Sequence, residues 1–346
     1  LIAIAVWVGL TAARALAADP RADFLKLIDR GRVPLDAKQE ADASVADGSQ
    51  IRFSFAAEAD QRVPGILIKP AGATGRRPVV IVLHGTGGTA QGMLPLMKKF
   101  VARGMTAVAI DGRHHGARTP AGKGSAAYND AIVKAWKNPG SAHPFFFDTV
   151  WDVMRLVDYL QTRDDIDASH IGLIGISKGG IETYLSAAVD PRIAAAVPCI
   201  GVQSFAWALD NDKWQPRIGT IKPAFDAIAK LAGVEKPDTA FVRAFYAKVS
   251  PGIDGEFDAP SMLPLIAPRP LMTINGEIDD RTPPPGLKLC TDAALQAYRA
   301  AGAEDRLKVV IEPRTGHKVT SESEIMAVDF LAQWLGVDPT TRPGAL

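Results

Sequence analysis

Cysteine is nearly absent from this chain: 346 residues hold two, Cys199 and Cys290. That excludes a disulfide-built scaffold and a four-cysteine zinc ribbon, and two lone thiols in apolar surroundings are expected to be buried and free rather than bridged. Excess charge is missing too. Lys and Arg total 39, Asp and Glu 38, with a formal net charge of +1 and no long run of either sign. A nucleic acid or an anionic membrane would need a concentrated basic surface, so neither is expected as a partner. Long apolar stretches are lacking everywhere but at the start. There LIAIAVWVGLTAARALA closes on Ala15-Leu16-Ala17, a small-x-small pattern, although no basic stretch precedes it. Residues 1–17 therefore read as a signal peptide, which implies a secreted or periplasmic protein. Arg14 interrupts the run and its apolar part is short for a bilayer span, so stable membrane insertion is not expected.

What is present is an ordinary globular composition, 47% hydrophobic and 22% charged, with enough chain for one large domain over residues 18–346. Residues 18–50 are polar, with a helical stretch at 22–30. Two β-like runs at 51–55 and 63–69 read as an antiparallel pair at a sheet edge. From residue 78 short apolar runs recur: PVVIVL (78–83), MTAVAI (105–110), HIGLIG (170–175), IAAAVPCI (193–200), PLMTIN (270–275) and LKVVIE (307–312). Amphipathic segments such as 150–161 and 321–335 separate them. This alternation predicts an α/β fold, a mostly parallel sheet with helices on both faces. Two spacers, 113–148 and 201–265, are too long for simple crossovers. The second carries Phe205, Trp207, Trp214, Phe225, Phe241 and Phe245 and is expected to form a helical cap above the strand ends. The alternative is a set of helices padding the outside of the core.

The chemistry-bearing motif is Gly175-Ile176-Ser177-Lys178-Gly179, between the run HIGLIG and the helical pattern IETYLSAA. A sharp strand-to-helix turn strains the serine and needs small neighbours two residues to either side, which is what G-x-S-x-G supplies. Ser177 is thus the candidate nucleophile. His84-Gly85-Thr86-Gly87-Gly88 follows PVVIVL, where a glycine-rich turn can present amides to an oxyanion. The Thr86 and Lys178 amides are the candidate oxyanion hole, and His84 is expected to hydrogen-bond its own loop. Neither phosphate-loop pattern fits this turn.

A serine hydroxyl needs a base. Of the six histidines, His170 begins its strand at the wrong sheet edge and His143 lies within an insertion. His317 follows LKVVIE in the loop PRTGH and precedes the last helical pattern, so it is the candidate general base. A carboxylate must then orient the imidazole. Glu277, Asp279 and Asp280 all follow PLMTIN, and spacing alone leaves them open.

The segments HGTGG (84–88), DGRHHG (111–116), WDVMRLVDYLQTR with IDASHIGLIGISKGG (151–180), NGEIDDRTP (275–283) and TGH (315–317) together resemble the α/β-hydrolase superfamily. The resemblance is to the branch holding dienelactone hydrolases, acetyl xylan esterases and prolyl oligopeptidase catalytic domains. It implies an eight-stranded sheet with the second strand antiparallel. It also implies a loop pattern G-x-x-D-x-x-x-P, which aligns Gly276, Asp279 and Pro283 and selects Asp279 as the acid. Two departures stand out: Lys178 within the elbow, which disfavours a greasy lipase site, and the paired His114-His115. A metal site from Asp111, His114 and His115 is conceivable, but adjacent histidines rarely share an ion and turn residues are the better reading. No cofactor or metal is expected. The expected activity is carboxylic-ester hydrolysis through an acyl-enzyme, on small acyl esters of carbohydrate or phenolic alcohols. A peptidase of the prolyl oligopeptidase type is the rival, although no propeller-length repeats are visible. A catalytically silent binding protein on the same fold is the third reading.

Overall fold

The structure is a computed structural model and describes residues 19–41, 50–120 and 124–337. The expected signal peptide, residues 1–17, lies outside the described residues. Nine strands occur among them: β1 (Lys38–Ala41), β2 (Gln50–Glu58), β3 (Gln61–Ile68), β4 (Arg77–Leu83), β5 (Thr106–Ile110), β6 (Ile166–Ile176), β7 (Ile193–Cys199), β8 (Leu271–Gly276) and β9 (Leu307–Glu312). They form one sheet in the order β1-β2-β3-β5-β4-β6-β7-β8-β9. β3 runs antiparallel to both β2 and β5, and pairing is parallel from β5 onward.

The eight expected strands are all there; the ninth, β1, is the difference. Its sequence, Lys-Gln-Glu-Ala, has no apolar alternation, and it holds its place by backbone pairing with β2 in the register Lys38↔Ser54. Such an edge strand leaves no hydrophobic signature.

The parallel strands read as unbroken apolar runs because both of their faces are covered. In β4, Val79, Ile81 and Leu83 enter one core while Val80 and Val82 enter the other. The first core lies under the helices Pro20–Ile28, Phe147–Gln161, Lys178–Val189 and Pro284–Ala300. The second lies under Leu94–Ala102 and Ser321–Trp334, where Met97, Phe100 and Leu331 are buried. Both cysteines are buried free thiols: Cys199 is in β7 and Cys290 in the helix Pro284–Ala300.

The long spacer after β7 holds the helices Phe205–Asp210, Gln215–Ile218, Lys222–Leu231, Thr239–Val249 and Ala259–Met262. Side-chain caps start several of them: Ser204 Oγ accepts from the Trp207 amide at 3.0 Å and Asp238 from the Phe241 amide at 2.9 Å. Its aromatic side chains meet one another edge to face. Phe225 lies 5.5 Å from Phe241 and 5.4 Å from Phe245, and Phe205 lies 5.6 Å from Tyr246, measured between ring centres. No helix among the described residues is long and apolar enough to cross a membrane.

Candidate active site

β6 ends in a turn that the backbone would otherwise avoid. Ser177 sits at φ 58°, ψ −111°, where a side chain is strained, and the helix Lys178–Val189 starts at the next residue. The Ser177 amide donates to the Cys199 carbonyl at 2.9 Å and its carbonyl accepts from the Ile181 amide at 3.1 Å, so both sides of the strained residue are pinned. The turn closes only because its neighbours have no side chain. A Cβ on Gly175 would strike the Gly179 carbonyl, one on Gly179 would lie 2.5 Å from the Leu83 oxygen, and one on Gly180 would lie 2.5 Å from the Cys199 oxygen. Ile200, just past β7, holds φ 45°, a rare value for a β-branched residue, and stands opposite Ser177 in the same hollow.

The loops after β8 and β9 are tied together by two backbone bonds, Glu277 N–H to the Glu312 carbonyl at 2.9 Å and Ile278 N–H to the Thr315 carbonyl at 3.0 Å. This brings His317 over the turn. Its Nε2 lies 2.7 Å from Ser177 Oγ, and its Nδ1 lies 2.7 Å from Asp279 Oδ2. With Nδ1–H donating to the carboxylate, Nε2 is left free to accept the serine proton. Asp279 is 1% exposed. It also accepts from the Arg281 amide at 2.9 Å and the Thr282 hydroxyl at 2.9 Å. Burial pushes its pKa up more than any other single influence. The His317 bond and charge, with those two donors, outweigh it and hold the carboxyl below its ordinary value. Glu277 is exposed and accepts from the Arg314 amide at 2.6 Å, and Asp280 is exposed beside the site, so neither reaches the imidazole.

Thr86 lines the hollow of about 360 Å³ that holds Ser177 and His317. Its amide donates to no acceptor among the described residues. Lys178 is the first residue of its helix, so its N–H has no partner within that helix. The Lys178 side chain does not enter the hollow. It is 1% exposed, pairs with Glu182 one turn along the helix, and lies 5.8 Å from the Tyr128 ring centre. The aromatic residues of 201–265 are likewise absent from the hollow's wall, to which that segment contributes Thr220.

His84 does hydrogen-bond its loop. Nδ1 donates to the Gly85 carbonyl at 2.7 Å, and Nε2 accepts from the Gly112 amide at 2.9 Å. Burial and the nearby Lys178 charge lower its pKa to about 4. Asp111 uses both carboxylate oxygens on the Ala90 and Ala117 amides, at 2.7 and 2.9 Å. His115 Nδ1 bonds the Arg113 carbonyl at 2.8 Å. These residues brace a turn, and no metal-holding group of three His, Cys, Asp or Glu is found among the described residues. The same turn sends Arg113 into a clamp against Asp152 Oδ1 at 2.9 Å and Glu58 at 2.7 Å, with Arg118 on the other Asp152 oxygen at 2.5 Å.

The profile of the acetyl xylan esterase (AXE1) family matches residues 27–210. The chain belongs to the acetyl xylan esterase family. It is an enzyme, a carboxylic-ester hydrolase of the α/β-hydrolase fold. Among its relatives is YtaP of Bacillus subtilis, 26% identical over 288 residues, covering 80% of this chain and 84% of that protein. The 4-O-methyl-glucuronoyl methylesterase of Hypocrea jecorina is 27% identical over 206 residues, which is 54% of this chain and 43% of the fungal one. A solved acetyl xylan esterase from Paenibacillus sp. R4 superposes with a TM-score of 0.63 at 20% identity over 90% of this chain and 92% of its own, a likeness of fold. The structure brings together Ser177, His317 and Asp279, the first two singled out by motif and position and the third by family resemblance. Motif reading missed Arg281, which also lines the hollow, and the buried Arg217 behind it, whose Nη2 donates to the Arg281 carbonyl at 3.2 Å. The signal for Arg281 was present, two residues past Asp279; Arg217 left none, because its contact spans 64 residues.

Proposed function

We propose that this protein hydrolyses small acyl esters of carbohydrate alcohols through a covalent acyl-enzyme on Ser177. The carrying observation is the unbroken chain Ser177 Oγ, His317 Nε2 and Nδ1, Asp279 Oδ2, each contact 2.7 Å. His317 takes the serine proton as Oγ attacks the ester carbonyl, and returns it to the leaving alcohol. Water then repeats the sequence to free the acid. Asp279, kept ionised by its donors, fixes the imidazole tautomer and stabilises the imidazolium. The Thr86 and Lys178 amides receive the oxyanion, with the start of the helix Lys178–Val189 adding its positive end. The acetyl xylan esterase family supports the alcohol class. The insertion 201–265, through Thr220, serves as the cap that shapes the hollow. Export, read from residues 1–17, fits a polymeric carbohydrate that stays outside the cell.

Ser177→Ala is expected to lower kcat on nitrophenyl acetate and on acetylated xylo-oligosaccharides by about 10⁴-fold or more, and to abolish labelling by a fluorophosphonate probe. Near-wild-type turnover by that variant would refute the assignment.

A further inference from the structure

Two cations around the catalytic hollow have no carboxylate within ion-pairing distance among the described residues. Arg281 stands half-buried in the wall of that hollow. Its backbone is occupied: the amide donates to Asp279 and the carbonyl accepts from Arg217. Its guanidinium has no hydrogen-bond or ion-pair partner among the described residues. Behind it Arg217, 3% exposed, is held by neutral acceptors. Its Nε and Nη2 both donate to Gln203 Oε1 at 3.2 Å, besides the bond to the Arg281 carbonyl. Asp279 is the carboxylate whose field reaches Arg217, and it already serves His317.

The wall around Ser177 holds Arg281 and, among the described residues, no carboxylate, with Arg217 behind it, so this end of the site is electropositive relative to the adjoining hollow, which holds Asp212 and Asp280. A cation held at a sheltered wall without a counter-charge is costly unless something else brings the negative charge. During turnover two species can: the oxyanion, or an anion carried by the substrate. The oxyanion has the Thr86 and Lys178 amides, which leaves the planar, multi-donor fork of Arg281 for the substrate. We infer that Arg281 is the recognition residue for a carboxylate carried by the ester substrate close to the bond that is cut. This rests on the reading of Ser177 as the nucleophile. The carboxylate has two possible sources: a uronic acid on the alcohol side, or a dicarboxylic hemiester on the acyl side. The adjoining hollow of about 460 Å³ shares the 278–284 loop and gives a larger leaving group room to continue; its wall holds Asp212, Asp279 and Asp280 beside Lys213, so the substrate's carboxylate belongs at the Arg281 end and not there.

The test uses the full chain and matched substrate pairs. One pair is nitrophenyl hemiglutarate against nitrophenyl acetate; the other is an O-acetylated methyl glucuronide against the corresponding acetylated methyl glucoside. In at least one pair kcat/KM should favour the anionic member by about tenfold or more, with the preference shrinking as salt rises. The pair that shows it names the side of the ester that carries the charge. Arg281→Gln should reduce the anionic-to-neutral ratio by about tenfold or more, Arg281→Lys should restore part of it, and Lys26→Gln, on the exposed face of the first helix, should leave the ratio where it was. Because the ratio is taken within one preparation, partial misfolding of a variant cancels. If Arg281→Gln gives no soluble enzyme, the Arg281→Lys ratio and the wild-type salt dependence decide. Equal handling of charged and neutral members in both pairs, or an unchanged ratio in Arg281→Gln, overturns the inference. In that event neutral-ester turnover that disappears with Ser177→Ala would still uphold the nucleophile, whereas failure of turnover and labelling alike would remove the nucleophile itself.

Discussion

Arg113 and Arg217 are both nearly sealed from water, at 5% and 3% exposure, yet they are built on opposite rules. Arg113 meets Asp152 and Glu58 directly, and Arg118 completes the pairing on Asp152. Every charge in that clamp has a partner of the other sign, and the clamp joins the turn after β5 to the helix Phe147–Gln161. Arg217, under the insertion that follows β7, has a carboxamide and a carbonyl. The first arrangement holds elements together. The second leaves a buried positive charge held by neutral acceptors alone, behind the Arg281 that lines the hollow of Ser177.

The comparison breaks most visibly at the clamp. Arg113→Met should cost about 3 kcal/mol of folding stability, because the fully buried Asp152 then keeps only Arg118 and Glu58 keeps only Arg30 at 3.9 Å. Urea unfolding measures this, and a loss under about 1 kcal/mol would show that the pairing is not structural. A smaller effect belongs to acid. Burial raises the Asp152 pKa most, but the charges and hydrogen bonds of Arg113 and Arg118 outweigh it and leave the carboxyl below its ordinary value. A carboxyl depressed by folding adds stability that is complete above its unfolded value, near 4, and disappears as pH falls through the folded value. The wild type should therefore lose stability below about pH 4, and Arg113→Met should show a shallower acid limb in the same titration. The smallest change is expected at the other cluster. Arg217→Met removes three hydrogen bonds but also an unpaired buried cation, and the two nearly cancel, so stability should move by no more than about 1 kcal/mol in either direction. A loss as large as that of Arg113→Met would erase the distinction between the clusters.

Much of the scaffold could be read from the chain because its determinants are local. PVVIVL and HIGLIG announce strands covered on both faces, and G-x-S-x-G announces a turn whose glycines are needed for close backbone approach. β1 was silent because its order comes from pairing with β2 and from Gln39, whose Oε1 accepts from Arg163 at 2.6 Å, and neither leaves an apolar alternation. The choice of Asp279 over Asp280 came from family likeness; in the structure one is buried against His317 and the other faces solvent. The aromatic residues at helical spacing in 201–265 suggested a cap over the site; Phe225, Phe241 and Phe245 pack on each other, and the segment reaches the hollow through Thr220. Lys178 looked like a site determinant from its place in the motif, but its side chain runs back along the helix to Glu182. The charges that set Arg217 and Arg281 apart depend on which carboxylates fail to arrive, and a linear reading cannot register such an omission.

The glycines of the elbow have a consequence for how this enzyme can be altered. Gly179 and Gly180 each rest against the backbone of a different strand end, Leu83 and Cys199, so Ser177 and the ends of β4 and β7 are cast as one piece. Diversification at those positions would shatter the casting. Residues 212–220 and 278–284, apart from Asp279 and Thr282, carry the removable face of the mould, and a library confined to them could redirect which ester is accepted while the chain from Ser177 through His317 to Asp279 stays as it is.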